Sequence, residues 1–327
     1  MPKFKRMRMI LEIFLLILGL VLLIYGADKL VEGASSVAAK LGVSAFIIGL
    51  TVVAFGTSMP EMVVNIIASF SGNSGLAIGN VIGSNTINIL VVVGITAIVR
   101  PLTVLGSTIR IEIPYSLLAA VVLFFLANDM LIDGAEASIL SRVDGLILVT
   151  FLGLFLYYTY YSAKSDKYAP VAQVKDRKNY ISILMIVGGI LGLYFGGKLI
   201  VDSATEIARS LGVSDAIIGL TVVAVGTSLP ELVTSVVAAY KGNADIAIGN
   251  VLGSNIFNIF MVLGISSLIR PLPFYPAANI DIVVAGLASI LLFVFALFGK
   301  GQKISRIEGS VFVIIYLVYL VYLVISA

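Results

Sequence analysis

The sequence predicts an all-α membrane protein whose ten transmembrane helices form two five-helix repeats of inverted topology. Three observations carry that prediction. Apolar residues fall in long blocks, among them Ile10–Tyr25, Ile181–Phe195, Ile282–Phe298 and Val311–Ile325. Blocks of roughly 17–25 apolar residues match the thickness of a bilayer's hydrocarbon core, and a helix apolar on every face suits lipid as its solvent. The chain also carries two copies of one segment: Ile47–Ile95 aligns without a gap to Ile217–Ile265 at an offset of 170, with 30 of 49 positions identical. Finally, hydropathy places five spans in each half. An odd number sends the second half into the membrane from the opposite side, a hallmark of secondary transporters.

In chain order the first five spans lie near residues 9–36, 43–70, 76–99, 108–127 and 143–163. The second five lie near 180–208, 216–240, 246–268, 279–299 and 307–325. The basic start with Lys3, Lys5, Arg6 and Arg8 resembles a signal peptide, but the segment after it has an internal copy, so it counts as the first span. That span and its copy are long and rich in Gly and Ala. The repeat extends beyond the core match: Leu41–Ser44 returns as Leu211–Ser214, Arg100–Leu102 as Arg270–Leu272, and Arg142–Gly145 as Arg306–Gly309. The only long polar stretch, 165–179, is a linker. The expected units are thus 1–164 with its core repeat at about 43–99, the linker 165–179, and 180–327 with its core repeat at about 213–269.

Lysine and arginine set orientation. Lys29, Lys40, Arg100, Arg110, Lys164, Lys167, Lys175, Arg177, Lys178, Lys241, Lys300, Lys303 and Arg306 fall on one side. The other side has Arg142, Lys198, Arg209, Arg270 and the basic N-terminal tail. The richer side is expected to be cytoplasmic, which places the linker inside and both termini outside.

Composition excludes several function classes. Only 12% of residues are charged, against 60% hydrophobic, about half the charge of a soluble domain. There is no cysteine and no histidine, hence no disulfide, thiolate or imidazole metal site, Ser-His-Asp triad or imidazole proton relay. The net charge of +3 sits in loops without an aromatic-interleaved basic patch, so no nucleic-acid partner is expected. Gly192–Lys198 nearly matches a phosphate-binding loop. It lacks the following Ser/Thr and lies in a lipid-type helix, so ATP has no site.

Glu61 and Glu231 stand out, one in the middle of a span in each repeat. A carboxylate at the bilayer centre costs several kcal/mol, which makes it a functional candidate by default. Each ends a repeated motif, Gly56-Thr-Ser-Met-Pro-Glu61 and Gly226-Thr-Ser-Leu-Pro-Glu231. Pro60 and Pro230 lack an N–H and clash with the carbonyl four residues back, which breaks the helix and frees carbonyls near Gly56 and Gly226. Thr57 and Glu61, four apart, are expected on one helix face, and Ser58 adds a hydroxyl. Hard oxygen donors of this kind suit calcium and sodium. The second motif is Gly79-Asn-Val-Ile-Gly-Ser-Asn85 with Asn88, and its copy Gly249-Asn-Val-Leu-Gly-Ser-Asn255 with Asn258. Ser84 and Asn88 share a face, as do Ser254 and Asn258. Asn80, Asn85, Asn250 and Asn255 read as interhelical packing polar groups. Asp28, Glu32, Lys198 and Asp202 read as span-end residues that snorkel or pair, and Tyr157, Tyr158, Tyr160 and Tyr161 as an interfacial belt.

These paired GTS-x-PE and GN-x-x-GSN motifs resemble the alpha-repeats of the calcium/cation antiporter superfamily, in particular its prokaryotic sodium/calcium exchanger branch, over nearly the whole chain. The resemblance implies ion ligation by Glu61 and Glu231, by Thr57, Ser58, Thr227 and Ser228 beside them, and by Ser84 and Ser254. It also implies backbone carbonyls from Ala54 and Ala224, and a last polar pair, Asn88 and Asn258. Some relatives carry Asp where this chain has Asn258, so the resemblance implies potassium-independent exchange here. The expectation is a monomeric antiporter of the cell membrane, not an enzyme, with calcium and sodium as transported ions and no cofactor. Rival readings are a calcium/proton antiporter and, more remotely, a passive cation channel.

Overall fold

The structure, a computed structural model, describes residues 3–132, 134–165, 178–211 and 224–326. Its long helices are α1 (Lys3–Leu41), α2 (Ala45–Thr57), α3 (Met59–Ser71), α4 (Ser74–Val99), α5 (Gly106–Leu126) and α6 (Arg142–Ser165), then α7 (Asn179–Ser210), α8 (Leu229–Tyr240), α9 (Ala244–Ile269), α10 (Ala278–Phe298) and α11 (Arg306–Ser326). Among the described residues eight helices are long and apolar enough to cross a membrane, and α2 with α3 makes a ninth span. This is an all-α membrane protein. The linker at 165–179 and the start of the expected span at 216–240 lie largely outside the described residues. The rest of that span is a turn, Ala224–Thr227, followed by α8.

Glycine sets the contact between α1 and α7. Gly19, Gly26 and Gly33 recur every seven residues, two helical turns, so they share one face of α1. A Cβ added at Gly26 would lie 2.8 Å from Gly189 O, one at Gly19 2.9 Å from Gly196 O, and one at Gly33 2.8 Å from Ser182 O. The partner numbers fall as the α1 numbers rise, so α1 and α7 run antiparallel with their backbones in contact, as small residues permit in membranes. Lys40 Nζ to Asn179 Oδ1 (3.0 Å) and Ser182 Oγ to Ser36 Oγ (2.8 Å) fasten one end.

The core lies around α4 and α9, the most buried helices, while α1, α6, α7 and α11 turn large apolar side chains outward. Two miniature ladders join the halves. β1 (Leu102–Thr103) pairs antiparallel with β4 (Lys303–Ile304), and β2 (Ile139–Leu140) with β3 (Leu272–Pro273). Arg100 Nη1 donates to the carbonyls of Ala239 (3.3 Å) and Tyr240 (3.2 Å), closing the end of α8.

Four features interrupt regular helix at the centre. The chain bends by 44° between α2 and α3. The bend falls at Ser58 (φ −81°, ψ 5°), just ahead of Pro60, which cannot donate to Gly56. Wider i→i+5 turns run through Gly49–Val53, Asn88–Val93 and Asn258–Leu263. Such turns are frequent at functional sites, and the extra residue rotates the face of the helix that follows.

The span-end charges pair as expected: Lys241 with Asp28 and Glu32, Lys29 with both acids, and Lys198 with Asp202. The tyrosine belt is corrected at one position. Tyr157, Tyr160 and Tyr161 are exposed, but Tyr158 is half-buried and donates to the Glu112 carboxylate. Position 158 faces α5 because it lies on the inner side of α6.

Candidate ion-binding site

Glu61 opens α3 and Glu231 opens α8, each in the first turn after a break. Both are completely buried. Helix N-termini carry unpaired N–H groups and a positive dipole end, which favour a carboxylate there. Each carboxylate is held through one oxygen. Ser84 Oγ donates to Glu61 Oε1 at 3.3 Å, and Ser254 Oγ to Glu231 Oε1 at 3.3 Å. The other oxygens, Glu61 Oε2 and Glu231 Oε2, are buried with no protein partner, as are Asn88 Oδ1 and Asn258 Oδ1. The two carboxylates belong to one cluster, because Ser58, three residues before Glu61, reaches Glu231 Oε1. Among the described residues no three Asp, Glu, His or Cys gather anywhere, so any cation here meets two carboxylates and neutral oxygens.

The expected pairing of Thr57 with Glu61 on one helix face is corrected. The helix breaks at Ser58, between them. Ser58 Oγ donates to Glu231 Oε1 at 3.2 Å, and Thr57 Oγ1 lies 3.0 Å from Asn250 Oδ1 and 3.3 Å from Ser254 Oγ. The hydroxyls at the break of the first repeat therefore serve the glutamate cluster of the second, while Ser84 and Ser254 hold the glutamate of their own repeat. Ser228 is buried beside Glu61, but its Oγ has no hydrogen-bond partner among the described residues, so the crossed bond is made on one side only. Thr227 Oγ1 approaches Asn80 Oδ1 at 3.5 Å. The Ala54 carbonyl lies at the same place and accepts from Ser58 N (3.0 Å), Thr57 Oγ1 (3.3 Å) and Ser254 Oγ (3.5 Å). Ala224 opens the short turn that ends at Thr227.

Sequence reasoning undervalued Asn80 and Asn250. Asn80 Nδ2 donates to Asn65 Oδ1 (2.7 Å) and reaches Glu61 O (3.4 Å). Asn250 Nδ2 donates to Ser235 Oγ (3.0 Å) and reaches Glu231 O (3.4 Å). They brace the first turns that carry the glutamates. The available signal was their spacing, 19 residues after the glutamate in both halves. A cavity of about 210 Å³ lies between α7 and the two proline breaks, lined by Tyr194, Lys198, Asp202, Pro60, Thr227 and Pro230 among others.

Buried carboxylates among neutral oxygens, inside a bundle of lipid-facing helices, define a multi-pass membrane protein of the ion-transporter class. Comparison with known proteins narrows this. The family model described as sodium/calcium exchanger protein matches residues 11–161 and 181–325. The chain belongs to that family, in the prokaryotic branch of the calcium/cation antiporter superfamily, and is a multi-pass protein of the cell membrane. It is 34% identical over 344 residues to the sodium/calcium exchanger MaX1 of Methanosarcina acetivorans, covering 94% of this chain and 96% of that one. It is 37% identical to the inner membrane protein YrbG of Escherichia coli strain K12, over 86% of this chain and 88% of that one. Among solved structures, the sodium-calcium exchanger NCX_Mj superimposes with a TM-score of 0.80 at 34% identity, covering 96% of this chain and 99% of that one.

Proposed function

We propose that this chain exchanges sodium for calcium across the cell membrane by alternating access around Glu61 and Glu231. The observation that carries the reading is the pair of buried carboxylates, each with one oxygen held by serine and the other without a protein partner. A cation offers what those oxygens lack. Carboxylate, hydroxyl, amide and carbonyl oxygens suit both calcium and sodium, so the two ions compete for one donor set and their transport is coupled without ATP. The ligand set is Glu61, Glu231, Thr57, Thr227, Ser58, Ser228, Ser84, Ser254, Asn88, Asn258 and the carbonyls of Ala54 and Ala224.

The strand pairings support ten spans in inverted repeats, in units 1–164 and 180–327; the cytoplasmic placing of the linker rests on the lysine and arginine distribution alone. β1 follows the third span of its half, and its partner β4 follows the fourth span of the other half. Paired loops share a membrane face, and a third-span loop meets a fourth-span loop only if the halves enter from opposite sides. The glycine seam supports α1 and α7 moving together as the gate, and the chain works as a monomer. With both glutamates ionised, one calcium cancels the charge and three sodium ions leave +1, so the cycle carries charge and feels about 2.3 kcal/mol per 100 mV.

The test is uptake of radioactive calcium by sodium-loaded proteoliposomes diluted into sodium-free buffer. Uptake is expected to require the sodium gradient, to proceed without potassium, to respond to an imposed membrane potential, and to vanish in Glu61→Gln and Glu231→Gln. Uptake driven instead by a pH gradient alone would move the coupling to protons.

A further inference from the structure

Four asparagines meet where α4 and α9 cross. Asn85 Nδ2 donates to the backbone carbonyl of Asn255 at 3.1 Å, and Asn255 Nδ2 to the carbonyl of Asn85 at 3.4 Å. Asn258 Nδ2 donates to Asn85 Oδ1 at 3.1 Å, and Asn88 Nδ2 to Asn255 Oδ1 at 3.0 Å. All four are buried.

The chemistry of this ring has one direction. A backbone carbonyl only accepts, so the Asn85 atom facing Asn255 O must be the amide nitrogen. The other end of Asn85 is then its oxygen, so the Asn258 atom facing it must be a nitrogen. That leaves Asn258 Oδ1 turned away from the ring. The same logic runs from Asn85 O through Asn255 to Asn88. Backbone geometry at one crossing thus dictates which atom two amides turn outward, an assignment that amide shape alone leaves open. The outward atoms, Asn88 Oδ1 and Asn258 Oδ1, are buried without a protein partner. Asn88 lies one turn past Ser84 and Asn258 one turn past Ser254, on the faces whose serines hold Glu61 and Glu231. A flipped amide would aim two N–H donors toward a cation instead of one oxygen.

We propose that Asn85 and Asn255 are positioning residues for ion selectivity: each locks the amide of the other repeat's asparagine, Asn258 or Asn88, so that it presents oxygen to the transported ion. The proposal rests on the reading of Glu61 and Glu231 as the ion site. It makes the two halves of the site interdependent, because the ligand of each repeat is oriented by a residue of the other.

A double-mutant cycle tests it. Aspartate at 258 presents oxygen whichever way it turns, but its inner oxygen then meets Asn85 Oδ1, an acceptor against an acceptor, so losing Asn85 should carry no penalty in that background. Asn85→Ala, Asn258→Asp and the double variant are compared for the calcium concentration giving half-maximal sodium-driven uptake. The calcium-induced rise in melting temperature, by circular dichroism, reads binding in variants that do not turn over. Asn85→Ala is expected to raise half-saturation about tenfold in the parent and less than about twofold in the Asn258→Asp background. Equal factors in both backgrounds would mean ordinary packing and overturn the proposal, as would an unchanged half-saturation in Asn85→Ala. The mirror cycle with Asn255→Ala and Asn88→Asp carries the same test if one variant does not fold. A parent that shows neither uptake nor calcium stabilisation fails the ion-site reading itself. A responsive parent with equal factors fails this proposal alone.

Discussion

Replacing Gly253 by alanine should loosen the candidate site through backbone contact alone. Gly253 lies in α9, directly before Ser254. A Cβ added there would press on the Leu50 carbonyl oxygen and stand 2.6 Å from Ala54 Cβ. Ordinary carbon contact begins near ~3.5 Å, so the fit falls short by close to an ångström. Neither neighbour can rotate away, since one is backbone and the other is a methyl fixed to it. α9 must therefore back off from α2. Overpacking of this kind costs roughly 1–3 kcal/mol, and the helix preference of alanine over glycine returns about 1, leaving a net loss of up to about 2 kcal/mol. Ser254 moves with the helix, and its Oγ lies 3.3 Å from Glu231 Oε1 and 3.3 Å from Thr57 Oγ1. Both stability and calcium half-saturation should suffer. The chain has no tryptophan, so circular-dichroism melts in detergent are the stability assay, paired with calcium uptake. Gly153→Ala is the control: it is exposed on α6 with no atom within 4 Å of the added Cβ, and no loss is expected. A Gly253→Ala protein that melts at or above the parent and keeps its half-saturation would refute the argument.

Other outcomes follow from the crossed hydroxyls and the ion pairs. Thr57→Val should couple with Ser254→Ala by about 0.5 kcal/mol or more in calcium affinity, and not with Ser84→Ala, because Thr57 faces the cluster of the other repeat. Additivity with both serines would contradict the crossed arrangement. Lys241→Met removes the pairs with Asp28 and Glu32. With side chains 27% and 32% exposed, these should contribute no more than about 1 kcal/mol. A loss of several kcal/mol in a denaturation series would show that the cluster is far drier than its exposure indicates.

Much of this molecule was legible in one dimension. Apolar runs and the 170-residue offset are local and self-comparing signals, so the spans, the repeat and the proline breaks could be located before any contact was known. The glutamates stood out for the same reason: a carboxylate inside an apolar run is conspicuous wherever the chain goes. The partners of those glutamates were another matter. Thr57 was expected beside Glu61 because four residues make a helical turn, yet the break that Pro60 causes sends it to Asn250 and Ser254. Asn85 and Asn255 read as packing groups because nothing near them in sequence reveals that each faces a backbone carbonyl 170 residues away. Local pattern determined which oxygens lie at membrane depth. Only the crossing of the two halves decided which oxygens face one another, because hydrogen bonds depend on distance and direction in space and not on separation along the chain.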